Sequence, residues 1–205
     1  MVTNSQPCLL KKYTKSMHII SGKFKGRSIK TTSGPGYRPA TARVRESLFS
    51  TLESLGVDWP QTRIVDIFAG SGSLAMEGLS RGAAAAWFIE KNPKAAALIR
   101  QNLKMLGVPE GQYRVVCKDL FRFIEHGPDT RFQLAFIDPP YGKDLLIPAV
   151  DKIISTGLLD AGGLLCAEVE EGVDCSGLWE DTLILQREKK YGQTRIYIWE
   201  LQENG

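Results

Sequence analysis

Four consecutive residues in the second half of the chain, Asp138-Pro139-Pro140-Tyr141, could hold a flat aromatic amine. Two prolines cannot continue a sheet ladder, so the backbone must leave the preceding apolar run rigidly. The Asp138 carboxylate and the Pro139 carbonyl are then two acceptors aimed at one point, which suits the two N–H groups of an exocyclic base amine. Tyr141 could stack on the base, worth ~1–3 kcal/mol. The alternative is an Asp-Pro-Pro turn with a buried tyrosine.

A glycine-rich turn earlier in the chain predicts a nucleotide site. The apolar run 64–68, interrupted only by Asp66, is typical of a strand buried on both faces. It leads through the turn 69–72 into a helix-period pattern. Gly70 and Gly72 allow a tight turn and the close approach of a ligand, which would face the helix N-terminus. The motif is short, and glycines also end strands for packing reasons alone.

Acidic residues follow three further apolar runs where strands are expected to end. They are Glu90, Asp119 and Asp138. Ligands in open α/β sheets bind outside the carboxyl ends of the strands, and an acid about twenty positions after the first glycine accepts hydrogen bonds from ribose hydroxyls. Glu90 has that spacing from Gly70. Four polar positions in register therefore indicate one ligand site rather than ordinary loop polarity.

Alternating strands and helices must position these groups, which predicts an α/β, Rossmann-like fold. We expect a mostly parallel seven-stranded sheet with helices on both faces, an antiparallel C-terminal hairpin and a small N-terminal β-hairpin. The expected organisation is a disordered extension over 1–16, a basic hairpin over 17–41 and one Rossmann-like domain over 42–205. The predicted strands cover 17–21, 27–32, 64–68, 84–90, 113–117, 131–137, 164–170, 183–190 and 195–201, and the predicted helices cover 41–55, 74–82, 92–106 and 144–155.

Charge is distributed unevenly along the 205 residues. The first 45 residues contain ten Lys or Arg and no Asp or Glu, whereas the remaining 160 hold 16 basic and 23 acidic groups. A basic arm on an acidic body indicates a polyanionic partner; the alternative is a solvated tail. Arg43 and Arg45 stand in the first turn of a predicted helix, where acids are normally preferred, so an anion could compensate them there.

Cysteine usage and hydropathy exclude several classes of protein. The four cysteines are scattered, without a C-x-x-C pair, and there are only two histidines. This predicts no zinc site and reduced thiols in a cytoplasmic protein. No apolar run reaches membrane-spanning length, and no secretory signal is expected.

The pairing of D-I-F-A-G-S-G with a later D-P-P-Y resembles class I S-adenosylmethionine-dependent amino-methyltransferases. The RsmD family is resembled more narrowly, over about residues 17–201. Three segments carry that narrower resemblance: M-H-I-I-S-G-K-F-K-G-R at 17–27, R-P-A-T-A-R-V-R-E-S-L-F at 38–49 and Y-G-x-T at 191–194. The sequence departs from the family pattern at Ala40, where threonine is expected after Arg-Pro.

This resemblance implies methylation of the N2 amine of a guanine in bacterial 16S ribosomal RNA, within a 30S subunit or assembly intermediate, by a monomer without metal. The implied catalytic residues are Asp138, Pro139, Pro140 and Tyr141. The implied cofactor-binding residues are Asp66, Phe68, Ala69, Gly70, Gly72, Glu90, Lys91, Asp119, Leu120 and Asp138. The implied RNA-binding residues are Lys23, Lys25, Arg27, Arg38, Thr41, Arg43, Arg45, Arg187, Lys189 and Lys190.

Within the implied cofactor site, Gly70 and Gly72 would pass under the methionine part. Glu90 would take the ribose hydroxyls, Asp119 the adenine amine, and Leu120 would pack on the adenine. The target base must be unstacked to reach such a pocket.

Three other functions are compatible with parts of the sequence. A NAD-dependent oxidoreductase would use the glycine turn and Glu90, but has no use for Asp138-Pro-Pro-Tyr. An amino-methyltransferase acting on another RNA or on DNA would use the same chemistry, although sequence-specific readers of DNA usually need a separate recognition domain. A non-catalytic RNA-binding module could retain the fold without needing acids at every strand end.

Overall fold

The computed structural model describes residues 16–31, 41–125, 130–140 and 142–203. The prediction of disorder over 1–16 lies outside these ranges except for Ser16, and so do the predicted sites at Arg38 and Tyr141. The strands are β1 Ser16–His18, β2 Ser28–Lys30, β3 Arg63–Ile67, β4 Ala85–Ile89, β5 Tyr113–Val116, β6 Phe132–Ile137, β7 Leu159–Glu170, β8 Leu183–Tyr191 and β9 Thr194–Leu201. The α-helices are α1 Ala42–Ser54, α2 Ser73–Arg81, α3 Pro93–Leu106, α4 Leu120–Ile124 and α5 Leu146–Ser155.

Seven strands form the central sheet in the order β5-β4-β3-β6-β7-β9-β8. The ladders from β5 to β7 are parallel, and β9 pairs antiparallel with both β7 and β8. The predicted mixed sheet with a C-terminal hairpin is thus confirmed. The chain moves outward from β3 to β5 and returns to β6 on the other side of β3, so the strand order reverses between β3 and β6. Such a switch point opens a crevice at the strand ends.

Alternate residues of the central strands enter two separate cores. Ile64 of β3 packs in the core that contains α1, α2 and α3, whereas its neighbour Val65 packs with α4 and α5. Both are fully buried. This explains why the strand is apolar at successive positions rather than at alternate ones. In the described ranges no helix is both long and apolar enough to cross a bilayer.

The predicted N-terminal hairpin forms, with shorter strands, and it is docked against the helices. A single turn of 3-10 helix at Gly22–Phe24 joins β1 to β2 and packs on α2. Gly22 has φ +77°, and a Cβ there would lie 1.9 Å from the carbonyl oxygen of Ser80, so this contact requires glycine. The Phe24 N–H donates to Ser80 Oγ at 2.9 Å.

Capping residues fix the ends of α1 and α3 close to the predicted helix bounds. Thr41 Oγ1 accepts from the Val44 N–H at 3.3 Å at the start of α1, and Asn92 accepts from the Lys94 N–H at 2.9 Å at the start of α3. Gly107, with φ +73°, follows the end of α3.

Two local features differ from the predictions. Helix α4 was not predicted, because its five residues show no helical period; Asp119 initiates it by accepting from the Phe121 N–H. Strand β7 begins at Leu159, five residues before the predicted start. Gly162 and Gly163, just before the predicted start, lie within this strand, where its pairing with β6 shifts register.

Candidate active site

A strained turn connects β3 to α2. Phe68, Gly70 and Gly72 all have positive φ, at 61°, 53° and 73°, and this is costly for the non-glycine Phe68. A Cβ on Gly72 would come within 3.0 Å of the Met76 methyl carbon and of the Phe88 ring. The turn therefore needs glycine at this position, because a side chain would collide with the core beneath the start of α2.

Glu90 holds this turn from the end of the neighbouring strand β4. Its Oε2 accepts from the Gly70 N–H at 2.8 Å, and its Oε1 accepts from the Asn92 N–H at 2.7 Å. The carboxylate is thus fixed by two backbone donors. Each oxygen keeps further lone-pair capacity for a ligand hydroxyl. Lys91 follows on the exposed surface.

Asp119 reaches the same edge of the sheet at the end of β5, which pairs with β4. Its Oδ1 accepts from the Phe121 N–H at 3.0 Å, which leaves Oδ2 for another donor. Leu120 is 2% exposed and belongs to the core with Ile124. Its predicted packing on an adenine stays a prediction.

Two acids meet at the switch point between β3 and β6. Asp66 is 3% exposed and accepts from the Ala75 N–H at 3.4 Å. Burial raises its pKa to about 8 against the lowering effect of that bond, with a smaller contribution from the charge of Glu90. Asp138 follows β6, and its N–H donates to the Ile67 carbonyl at 3.5 Å. Within the described ranges no Lys or Arg forms an ion pair with either acid.

The Asp138 carboxyl also lies in an environment that disfavours its charged form. Burial raises its pKa well above the ordinary aspartate value, and the neighbouring charges of Glu168 and Asp66 raise it further. The following Pro139 is buried and Pro140 is exposed. The chain thus turns out of the sheet directly after the acid, as the two prolines predict.

Two acids of β7 belong to this region, although the sequence interpretation missed them. Glu168 is 8% exposed beside Asp138. Glu170 Oε1 accepts from the Gly142 N–H at 2.9 Å and so anchors the loop that follows the two prolines. The signal was the A-E-V-E pattern at 167–170, in which acids alternate with apolar residues at the end of an otherwise apolar strand.

The predicted RNA-binding residues fall into different environments, and Arg45 requires a correction. Its side chain is 2% exposed and lies in the interior, where it donates to the His18 carbonyl at 3.0 Å and faces Glu77 at 3.9 Å. The prediction that Arg45 contacts RNA is wrong for this structure. Its spacing to Leu48, Phe49 and Leu52 places it on the buried face of α1.

The other predicted basic residues that the structure describes lie on the surface, and several already have partners. Arg27 donates to the Met105 and Leu106 carbonyls at the end of α3, and Lys189 donates to Thr51 at 2.7 Å. Lys190 forms an ion pair with Glu171, and Arg187 donates to the Gln186 carbonyl. The exposed remainder is Lys23, Lys25, Thr41 and Arg43.

Known proteins resemble the chain over nearly its whole length. A family model described as "Conserved hypothetical protein 95" matches residues 17–200. Ribosomal RNA small subunit methyltransferase D of Escherichia coli (strain K12) is 34% identical over 192 residues, which are 92% of this chain and 92% of that protein. The protein of the same name from Haemophilus influenzae is 31% identical over 156 residues, covering 76% of this chain and 79% of that one.

Solved structures share the fold. The yhhF protein of Escherichia coli, described provisionally as a methyltransferase, superposes with a TM-score of 0.77 at 32% identity, covering 93% of this chain and 100% of that one. A hypothetical protein from Thermus thermophilus gives 0.76 at 29% identity, with coverages of 90% and 99%. The breadth of the family match and the identity to the Escherichia coli relative show that the chain belongs to the RsmD family of class I methyltransferases.

Proposed function

We propose that this chain transfers a methyl group from S-adenosylmethionine to the exocyclic N2 amine of a guanine in 16S ribosomal RNA. Family membership makes it an S-adenosylmethionine-dependent methyltransferase, and its named relatives are small-subunit ribosomal RNA methyltransferases. The observation that carries the choice of an amine is the position of Asp138, at the switch point beside Asp66 and directly before Pro139.

The residues at the strand ends fit the cofactor. The turn at Gly70 and Gly72, with positive φ at both glycines, leads directly into the N-terminus of α2, which would face the cofactor. Glu90, already fixed by two backbone donors, would accept the ribose hydroxyls, and the remaining oxygen of Asp119 would accept from the adenine amine. When bound, S-adenosylmethionine supplies a methyl group on a positively charged sulfur, and an acidic site favours that charge.

The substrate amine is the nucleophile, and the protein must orient it. Its nitrogen lone pair is delocalised into the ring, so its nucleophilicity is low. The Asp138 carboxyl and the Pro139 carbonyl would accept its two N–H groups and draw the nitrogen toward tetrahedral geometry. Glu170 would keep the loop in place through Gly142, and stacking of the base on Tyr141 is proposed from the sequence.

RNA would approach the basic side of the molecule from the N-terminal hairpin and α1. The exposed cations there include Lys23, Lys25 and Arg43. We propose that Arg38 and the C-terminal hairpin complete this surface, and that a monomer acts in the cytoplasm on a 30S particle or an assembly intermediate. The target guanine must leave its stack to reach Asp138.

The test is transfer of tritiated methyl groups to ribosomal RNA from a strain that lacks the enzyme, followed by mapping of the label. We expect one guanine N2 of 16S RNA to be labelled. Asp138→Ala should lose ~10²–10³ in single-turnover rate while still binding the cofactor, because a positioned electrostatic group has been removed. Asp160→Ala is the matched control at the opposite end of the sheet, where its carboxylate pairs with Arg63. Label on a ring nitrogen or a ribose, or near-normal turnover by Asp138→Ala, would refute the proposal.

A further inference from the structure

Glu168 is a buried acid that the mechanism above does not use. Ile137 of β6 pairs with Ala167 of β7 in the parallel ladder, so the next residues, Asp138 and Glu168, are neighbours across adjacent strands. Adjacent strands lie about 4.8 Å apart. The carboxyl of Glu168 is therefore placed beside the group that is proposed to hold the substrate amine.

Both acids face the same side of the sheet. Phe136 and Cys166, two positions earlier on each strand, pack in the core that contains α1, α2 and α3. Because side chains alternate along a strand, Asp138 and Glu168 project to that side as well. Glu168 lines a small cavity there with Leu48, Leu74, Phe136, Cys166 and Ile196.

The walls of this cavity do not compensate Glu168. The side chain is 8% exposed, and within the described ranges no hydrogen bond or ion pair involves its carboxyl. The charged neighbour from β6 is Asp138, which is an acid and itself lies near a second acid, Asp66. A buried carboxyl with only acids around it is costly to ionise.

Cations and hydroxyls on the surrounding elements are occupied elsewhere. On β8, Lys189 Nζ donates to Thr51 Oγ1 at 2.7 Å, and the Tyr191 hydroxyl lies 2.6 Å from Ser47 Oγ, so α1 holds both side chains. Arg45 of α1 faces Glu77 of α2 at 3.9 Å. Burial therefore remains the main influence on the titration of Glu168.

The electrostatics agree with this geometry. Burial raises the pKa of Glu168 to about 7. The charge of Glu168 is in turn the second-largest cause, after burial, that raises the pKa of Asp138. Two carboxyls in such contact do not ionise independently, and their protons are lost in coupled steps.

We propose that Asp138 and Glu168 share one proton in the resting enzyme, and that the pair takes up the proton that the amine releases during methyl transfer. Glu168 is then a positioning residue that acts through Asp138. This inference rests on the proposed function. In the step itself, the amine lone pair forms the N–C bond while the C–S bond breaks with its electrons going to sulfur. The nitrogen, now positively charged, gives its proton to Asp138, and the proton already held by the pair moves through Glu168 to water.

The test compares Glu168→Gln, Glu168→Asp and a control, Asp160→Asn, which changes an acid at the opposite end of the same strand. Single-turnover methyl transfer is measured from pH 5.5 to 9. In Glu168→Gln we expect the plateau rate to fall about tenfold, because proton transfer to a poised acceptor is weakened. The acidic limb of the pH–rate profile, over which the rate rises with pH, should also move to lower pH by about one unit. The reason is that Glu168→Gln removes the charge that raises the Asp138 pKa. Glu168→Asp should recover part of both effects, and Asp160→Asn should match the wild type.

If the acidic limb of the pH–rate profile stays in place in Glu168→Gln, the inference is overturned and Glu168 is a structural residue. This holds whether or not the rate falls. Carbon-13 NMR of the carboxyl groups in the unliganded protein gives a second measurement that does not need RNA. We expect two coupled titrations in the wild type and a single, lower one for Asp138 in Glu168→Gln; independent titrations in the wild type would overturn the shared proton. Failure of the wild type to label ribosomal RNA would refute the proposed function, while the NMR titration would still decide the inference.

Discussion

Asp66 and Glu77 are both buried acids on the same side of the sheet, but their surroundings are opposite. Glu77 of α2 is fully buried, and its two oxygens accept from the Ile20 and Ser21 N–H groups at 2.8 and 2.9 Å. Arg81 adds a contact at 3.2 Å. Asp66 of β3 has one long bond, from the Ala75 N–H at 3.4 Å, and its nearest charges are acids.

Glu77 is thus an acid that stabilises the fold, whereas Asp66 is an acid that is retained although its burial lowers the stability of the fold. Glu77 joins the N-terminal hairpin to α2, so its carboxylate replaces lost water with backbone donors and arginines. Asp66 gains almost nothing comparable, and it adjoins the strand ends where a positively charged ligand is expected. Poorly compensated acids in a cleft are candidates for function, whereas well-compensated ones are candidates for stability.

Removing Glu77 should have the largest effect on stability. Glu77→Ala should lower the free energy of unfolding by about 3–5 kcal/mol, because it takes the carboxylate away from the buried Arg45 and leaves two backbone N–H groups without acceptors. Urea denaturation measures the change. Glu53→Ala, which removes the half-exposed partner of Arg81, should cost less than about 1 kcal/mol. Equal losses in the two variants would show that burial at Glu77 is unimportant.

Asp66 should show the opposite behaviour. In the folded protein its pKa is about 8, above the ordinary value of 3.8, so the folded state binds more protons between these values. The free energy of unfolding therefore falls as pH rises from about 4 to 8. Asp66→Asn should reduce this slope and raise stability at pH 8 by about 1–2 kcal/mol, as at other functional sites that sacrifice stability. Urea denaturation at pH 5 and pH 8 checks it; a variant less stable at pH 8 than the wild type would contradict the assignment.

The sequence predicted the fold more fully than these side-chain environments. Periodicity and caps determine local structure, and so α1, α3 and the positions of most strands along the chain were predicted. The backbone N–H groups that bond Glu77 are more than fifty residues away, and no local pattern reveals such contacts. Arg45 was misplaced because its charge outweighed its position on the apolar stripe of α1.

Part of the candidate site was likewise predicted, namely the positions where an acid directly after a predicted strand was enough to indicate a ligand site. Glu90, Asp119 and Asp138 reach the same edge because parallel strands align their carboxyl ends. Glu168 could not be assigned in this way, because its significance depends on its register with Asp138.

Glu170 is intermediate between Asp66 and Glu77, because it lies at the strand ends but has a backbone donor. Its bond to the Gly142 N–H spans the loop after Pro140. Glu170→Ala should raise KM for RNA about tenfold through a less ordered loop, with little change in stability, since it breaks one bond near the surface. Glu170→Gln retains an acceptor oxygen and should stay near the wild type. Steady-state methyl transfer at varied RNA concentration distinguishes them, and equal KM values for both variants would remove the loop contact from the argument.

The smallest expected effect separates two arginines that differ by two positions in α1. Arg43 is exposed, whereas Arg45 is buried beside Glu77. If Arg43 contacts one phosphate, Arg43→Ala should lower the slope of log affinity against log salt by about 0.7–0.9 and leave unfolding unchanged, because one fewer counterion is released. Arg45→Met should destabilise the fold, since it removes the buried partner of Glu77, while the protein that remains folded keeps the full salt slope. RNA binding measured from 50 to 300 mM salt, with urea denaturation in parallel, compares them. A reduced salt slope in Arg45→Met alone would mean that the buried arginine turns outward to reach RNA. Arg45 would then have a binding role as well as a structural role beside Glu77.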